Sequence, residues 1–226
     1  LREAEELAQE IGVRHRVFES EELDDPNFAS NPSDRCYFCK RELFGRLRRM
    51  AEREGLRWVA DATNYDDAMH DYRPGLQAAQ ELEVRSPLRE AGLRKDEIRE
   101  LSRELGLPTY DKPSFACLAS RFPYGESITA EKLERVEKAE ELLHEMGFRQ
   151  FRVRSHGEIA RIELGQREEP GRLLEGERRE RVVRTLKELG YLYVTLDLEG
   201  YRTGSMNEPL ELSSAIERQE GKRSRA

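Results

Sequence analysis

The stretch Trp58-Val59-Ala60-Asp61-Ala62-Thr63-Asn64-Tyr65-Asp66-Asp67 decides how the first half of this chain is read. Three apolar residues, too few for a helix, give way at once to polar ones. Trp58 to Ala60 reads as a short buried strand of a parallel sheet, ending at Asp61. Asp61 to Asp67 is then the turn beyond its carboxyl end, and open parallel sheets bind ligands in the crevice past their strand ends. The same residues equally suit a capped turn that leads into solvent.

Upstream, Leu1, Ala4, Leu7 and Ile11 share one helical face, Gly12 closes that helix, and Val13 to Phe18 alternates as a strand. The chain starts in mid-helix and not at methionine, so a preceding segment is expected. Glu21 to Ser33 is an acidic loop. Ser33 or Asp34 then caps a long helix to about Arg53, with Cys36, Cys39, Leu43, Leu47 and Met50 on one stripe. Both cysteines fall in its first turn and on one side. A helix N-terminus lowers thiol pKa, and this spacing lets two sulfurs reach one ion. Alternatively, they only extend the apolar stripe.

Downstream, Asp71 to Gly75 starts another helix, with Pro74 in its first turn. Val84 to Leu88 reads as the next strand. Leu93, Ile98, Leu101 and Leu105 make an amphipathic helix stopped by Gly106 and Pro108. Alternating strands and helices predict a parallel α/β layer.

Lys112 to Gly125 carries neither period, yet prolines stiffen both ends. Cys117 lies four residues before Arg121, whose charge would favour the thiolate; a small core cysteine is the plainer reading. From Thr129, a helix stripe of Leu133, Val136, Leu143 and Met146 includes Glu140, which needs a partner, a ligand or a wet pocket, unless it bends outward to solvent. Phe151 and Val153 alternate with Arg152 and Arg154, and a turn at Ser155 to Gly157 leads to Ala160, Ile162 and Leu164. This hairpin has an apolar face and a basic one, fit either for a phosphate or for solvent. A helix from Glu175 to Leu189 and a strand from Tyr191 to Leu198 complete an α+β unit, and the tail after Leu212 is polar.

With 226 residues, 38% of them charged and a net charge of −7, the chain has core enough for one or two domains and no general attraction to nucleic acid. It contains no apolar run that spans a bilayer and no signal peptide. Three cysteines, two of them spaced Cys-x-x-Cys, favour metal or sulfur chemistry over disulfides, so a cytoplasmic location is expected.

Several motifs together resemble a known family. Asp61 to Asp67, Asp71 to Leu76, and Ser86-Pro87-Leu88 leading to Leu105-Gly106-Leu107-Pro108 resemble the PP-loop ATP pyrophosphatase superfamily. Ser120 to Gly125, Ile159 to Leu164 and Tyr193 to Asn207 resemble the LarE sulfur transferases. The resemblance implies an α/β fold with a parallel PP-loop-type sheet over residues 1–112, and a linker loop with a smaller α+β substrate and oligomerisation domain over 113–226. The superfamily's Ser-Gly-Gly-x-Asp-Ser phosphate loop occurs nowhere in the chain, so the sheet is expected to be N-terminally truncated, lacking its first strand.

For function, the resemblance implies ATP with Mg2+ as cosubstrate and adenylation of a carboxylate of pyridinium-3,5-biscarboxylic acid mononucleotide. Sulfur then replaces the activated oxygen, a step towards the nickel-pincer cofactor of lactate racemase. The pattern is that of a three-cysteine branch in which Cys36, Cys39 and Cys117 hold a 4Fe–4S cluster, a ligand set that leaves one iron open. It implies catalytic roles for Cys117 and Glu140, substrate or phosphate contacts for Arg121, Arg152 and Arg154, and nucleotide contacts for Thr63 and Asn64. Expected partners are the pyridinium mononucleotide, further copies of the chain and other enzymes of the nickel-pincer pathway, without membrane or nucleic acid. Three other readings are a PP-loop tRNA thiolase, which the acidic charge disfavours, a zinc-stabilised module using the cysteines with His70 or His156, and an inactive fragment.

Overall fold

The computed structural model describes residues 2–69, 73–113, 116–165, 170–202 and 204–208. His70, Asp71, Tyr72, Ser114, Phe115, Thr203 and the tail after Leu212 lie outside the described residues.

Helix α1 (Arg2–Ile11) is followed by Gly12 at φ 77°, a left-handed turn that glycine adopts without strain. Residues 13–18 continue extended, but no described residue pairs with them, and Val13 and Val17 are exposed. The expected strand is therefore absent: alternation sets the faces of a strand, while only a neighbouring backbone completes its ladder. A 3-10 turn (Glu22–Asp24) and the short α2 (Pro26–Ala29) precede the long α3 (Arg35–Arg53), where Asp34 takes the N-cap position but makes no side-chain capping bond.

Around the stretch Trp58 to Asp67 the sheet shrinks to one parallel bridge, Ala60 with Arg85. Arg85 N–H donates to the Val59 carbonyl and Asp61 N–H to the Arg85 carbonyl, both at 2.9 Å. Trp58 is not the buried residue expected. It is half exposed, and its ring is covered by the guanidiniums of Arg57 and Arg85 at 5.0 and 5.2 Å. The order of elements is mixed α/β as read, but the described residues show no extended parallel sheet here. Helices α4 (Tyr65–Met69), α5 (Pro74–Glu81, with Pro74 in its first turn), α6 (Pro87–Glu90) and α7 (Lys95–Glu104) complete this half.

The second half centres on α8 (Ala130–Glu145), where the Thr129 hydroxyl accepts the Lys132 N–H at 3.2 Å, the N-cap its sequence predicts. Strands β1 (Phe151–His156) and β2 (Ile159–Leu164) form the antiparallel hairpin. Then come α9 (Pro170–Leu174) and α10 (Gly176–Glu188), and β3 (Tyr193–Leu196) pairs parallel with β2. Leu142, Leu143, Phe148, Phe151, Ile162 and Leu186 lie in the core between this sheet and the helices. The basic face of β1, open in one sequence reading, is covered. Arg152 and Arg154 are 2% and 4% exposed, because the 3-10 turn Leu118–Arg121 and the segment that follows β3 lie across them.

The two halves share a second apolar cluster of Phe28, Ala119, Phe122, Ile128 and Val136. Burying Phe28 and Phe122 is worth about 1.5–3 kcal/mol each. Backbone bonds add to the join: Gly125 N–H reaches the Asn31 carbonyl and Ile128 N–H the Ala29 carbonyl, both at 2.8 Å. Asn31 makes that corner at φ 54°, which its residue type tolerates, and its side-chain amide donates to the Pro123 carbonyl at 2.7 Å.

Candidate functional site

A cleft of about 540 Å3 opens where the first turn of α3, the turn after Ala60, the start of α5 and the loop before α8 meet. Cys36, Lys40, Asp61, Thr63, Arg73 and Tyr124 line it. At Gly75, the start of α5 packs closely on α3, and a Cβ there would meet the Lys40 Cγ at 3.1 Å. Asp61 accepts the hydroxyls of Thr63 at 2.6 Å and Ser86 at 2.7 Å. Burial works to raise its pKa, but these bonds prevail and hold the carboxyl below its ordinary value. Thr63 therefore faces the cleft beside a fixed carboxylate. Asn64, by contrast, is 7% exposed and its side-chain oxygen accepts the Asp67 N–H at 2.9 Å, capping α4.

Of the three cysteines, Cys36 lines this cleft. Cys36 is exposed on the cleft wall, Cys39 is half-buried one turn on, and Cys117 is exposed just before the Leu118–Arg121 turn. Charge on any one sulfur would be felt by the other two, so all three lie within electrostatic reach despite the sequence distance. At Cys39 and Cys117 the expected lowering of thiol pKa is not found. Cys39 is pushed up by burial and then by Glu22, whose carboxylate oxygen accepts its S–H at 3.0 Å. Cys117 is raised as well, by its surroundings first and by Glu22, against lowering by the Ala119 N–H and Arg35.

The Arg121 guanidinium is engaged with a carboxylate and with backbone carbonyls. Nε and Nη2 donate to Glu140 at 2.7 and 2.8 Å, and Nη1 donates to the carbonyls of Ala116 and Cys117 at 3.1 and 3.3 Å. As the side chains stand, no three His, Cys, Asp or Glu residues among those described are arranged to hold a metal ion.

Glu140 has the partner that its place on an inward stripe demands, and it also accepts the Val153 N–H at 2.9 Å. Arg154 donates to Glu163 at 2.8 Å, to the Ser120 carbonyl at 2.8 Å and to the Ser205 hydroxyl at 3.2 Å. Arg152 lies over the Tyr201 ring at 4.8 Å, and burial followed by the charge of Arg121 pulls its pKa down. The three arginines therefore stand together behind the loop that carries Cys117, each engaged with protein groups. His156 ends β1 with Arg161, Glu126, Arg154 and Glu163 as its electrostatic neighbours.

No model of a known protein family matches the chain. An uncharacterized protein of Synechocystis is 48% identical over 93% of this chain and 78% of its own length. The pyridinium-3,5-bisthiocarboxylic acid mononucleotide synthase of Lactiplantibacillus plantarum is 39% identical over 90% of this chain and 72% of its own. An uncharacterized protein of Methanocaldococcus jannaschii is 32% identical over 76% and 66%. The chain belongs to the LarE family of pyridinium-3,5-bisthiocarboxylic acid mononucleotide synthases.

In this LarE-family chain, the cleft contains residues that the sequence reading did not single out. Lys40 had a signal, since it stands one helical turn after Cys36 and so shares its face. Tyr124 and Asn207 lay inside family-like motifs, yet nothing in their spacing joined residue 124 to residue 207; in the structure the Tyr124 hydroxyl donates to Asn207 at 2.9 Å. Glu22 sits in an acidic loop without periodicity, and only folding brings it to Cys39. No helix among the described residues is long and apolar enough to cross a membrane.

Proposed function

We propose that this protein is an ATP-dependent sulfur transferase that converts carboxylates of pyridinium-3,5-biscarboxylic acid mononucleotide to thiocarboxylates for the nickel-pincer cofactor of lactate racemase. The observation that carries this reading is Cys36 in the lining of a cleft that also holds Lys40, Asp61 and Thr63, with Cys39 and Cys117 within electrostatic reach, in a chain of this family. It joins sulfur donors, a cation for phosphate or carboxylate, and a polar turn suited to a nucleotide.

In this reading a substrate carboxylate oxygen attacks the α-phosphorus of ATP, bound with Mg2+, and pyrophosphate leaves. Sulfur then attacks the activated acyl carbon and AMP departs with the oxygen. Thr63 and Asn64 belong to the nucleotide end, Thr63 by direct contact and Asn64 by fixing the turn. Lys40 balances negative charge in the cleft. Arg121, Arg152 and Arg154 are assigned to the anionic substrate or its phosphate, which would have to displace the groups that now cover and pair them, and Glu140 would act through Arg121.

Cys36, Cys39 and Cys117 are the thiols that would hold a 4Fe–4S cluster; their residue type suits it, but their present arrangement does not. Such a cluster supplies an exchangeable sulfide at the iron without a protein ligand. Holding it requires the Cys39 thiol to leave Glu22 and lose its proton. The parallel PP-loop sheet, the two-domain division near residue 112, assembly into a homo-oligomer, action with other nickel-pincer enzymes and a cytoplasmic location belong to the same proposal.

The test is anaerobic incubation of iron- and sulfide-treated protein with ATP, Mg2+ and the biscarboxylate. Formation of a thiocarboxylate by mass spectrometry with matching pyrophosphate release is expected. A protein that takes up no iron, shows no iron–sulfur absorption band and yields neither product would sink the proposal.

A further inference from the structure

The motif from Tyr193 to Asn207 reaches the cleft through its last residues, and no role described so far uses that. After β3 the chain turns at Gly200, with φ 68°, and Tyr201 N–H donates to the Leu164 carbonyl at 2.8 Å. Arg152 stacks over the Tyr201 ring and Arg154 donates to the Ser205 hydroxyl. These contacts fix the described part of the segment across β1, and Asn207 at its end lines the cleft. There the Asn207 side-chain oxygen accepts the Tyr124 hydroxyl at 2.9 Å, so its amide nitrogen is the group left over, with no partner among the described residues. A side-chain amide so fixed presents two N–H donors, while one of its oxygen's two lone pairs is taken by Tyr124. The cleft that Asn207 lines is also lined by Cys36.

We propose that Asn207 is a substrate-recognition residue whose amide N–H groups bind a ring carboxylate of the pyridinium mononucleotide, held in register by Tyr124. The assignment rests on the sulfur-transferase reading and deepens it. It explains why a C-terminal segment is pinned at Tyr201 and Ser205: a donor that must discriminate one carboxylate needs its oxygen already occupied and its backbone fixed. Asn207→Asp would replace donors by a carboxylate facing a carboxylate, a repulsive arrangement of nearly the same shape.

The experiment is calorimetric titration of the full chain and its variants with two ligands: the biscarboxylate mononucleotide and the pyridinium ribotide that lacks both ring carboxylates. Loss of a hydrogen bond to a charged group predicts that Asn207→Ala weakens the biscarboxylate roughly tenfold to a hundredfold. Asn207→Asp should weaken it further, and Tyr124→Phe should weaken it less than Asn207→Ala. The ribotide should bind wild type and Asn207→Ala alike. Equal weakening of both ligands, or unchanged biscarboxylate affinity, overturns the Asn207 assignment while leaving the sulfur-transferase reading intact. If wild type binds neither ligand, that reading falls and the assignment falls with it.

Discussion

Arg121 and Glu140, nineteen residues apart, form a bidentate ion pair sealed from water, with Nε–Oε1 at 2.7 Å and Nη2–Oε2 at 2.8 Å. Such a fork-to-carboxylate pair fixes direction as well as distance. It locks the loop carrying Cys117 to α8, and it commits to a carboxylate the guanidinium that was expected to stabilise a thiolate. Removing one partner leaves a buried charge uncompensated, which costs about 3–5 kcal/mol. Glu140→Ala should therefore lower unfolding free energy by that amount in urea titration. Replacing both partners together, as Arg121→Met with Glu140→Leu, should cost less than Glu140→Ala alone. A single-variant loss below about 1 kcal/mol would show that the pair is not desolvated as described.

The thiols should differ in reactivity by position. Cys36 is exposed, whereas Cys39 is half-buried with its S–H held by Glu22. Iodoacetamide followed by peptide mass mapping should label Cys36 first and Cys39 last. Burial is the larger cause that raises Cys39, and Glu22 is the next. Glu22→Gln should accordingly move the Cys39 alkylation profile to lower pH, since removing the carboxylate lets the thiolate form sooner. An unmoved profile would contradict the bond.

Gly200 is a position where space and backbone agree. A Cβ added there would meet the Leu164 carbonyl oxygen at 2.6 Å, in a left-handed conformation of φ 68°. Gly200→Ala should destabilise the protein by about 1–3 kcal/mol, seen as a lower melting temperature. It should also weaken ligand binding by displacing the segment that ends in Asn207. A variant that melts and binds like wild type would show that the segment is not anchored at this turn.

Asp61 gives a pH signature. Its folded pKa lies below the ordinary aspartate value, despite burial, because the Thr63 and Ser86 hydroxyls bind the ionised form. Its contribution to stability is thus present above the unfolded pKa of about 3.9 and is lost as pH falls through the folded value. The stability gap between wild type and Asp61→Asn should be largest near neutral pH and shrink as the carboxylate is protonated. Denaturant titrations across the acid range would show it, and a gap independent of pH would rule it out.

Much of the fold was legible because it depends on local chemistry. Thr129 before a periodic run gave α8, the stripe from Cys36 to Met50 gave α3, and alternation about Gly157 gave β1 and β2. Where the reading failed, a partner was missing from it. Val13 to Phe18 has the pattern of a strand without a described neighbour to pair with, and Trp58 is covered by two guanidiniums and not by a sheet. Patterning reports which face is apolar, not what lies opposite it.

The sequence by itself determined which residues could carry the chemistry: three cysteines, an inward glutamate, and two arginines on one strand face, in motifs shared with a family. Only the tertiary structure decided their relations. Arg121 chose Glu140 over Cys117, Glu22 came to Cys39 from a loop without pattern, and Arg152 and Arg154 were covered by Tyr201 and Ser205. The reason is physical. A side chain's type and period follow from its own short segment, but a buried charge takes whichever partner the packing of distant segments sets within hydrogen-bond reach.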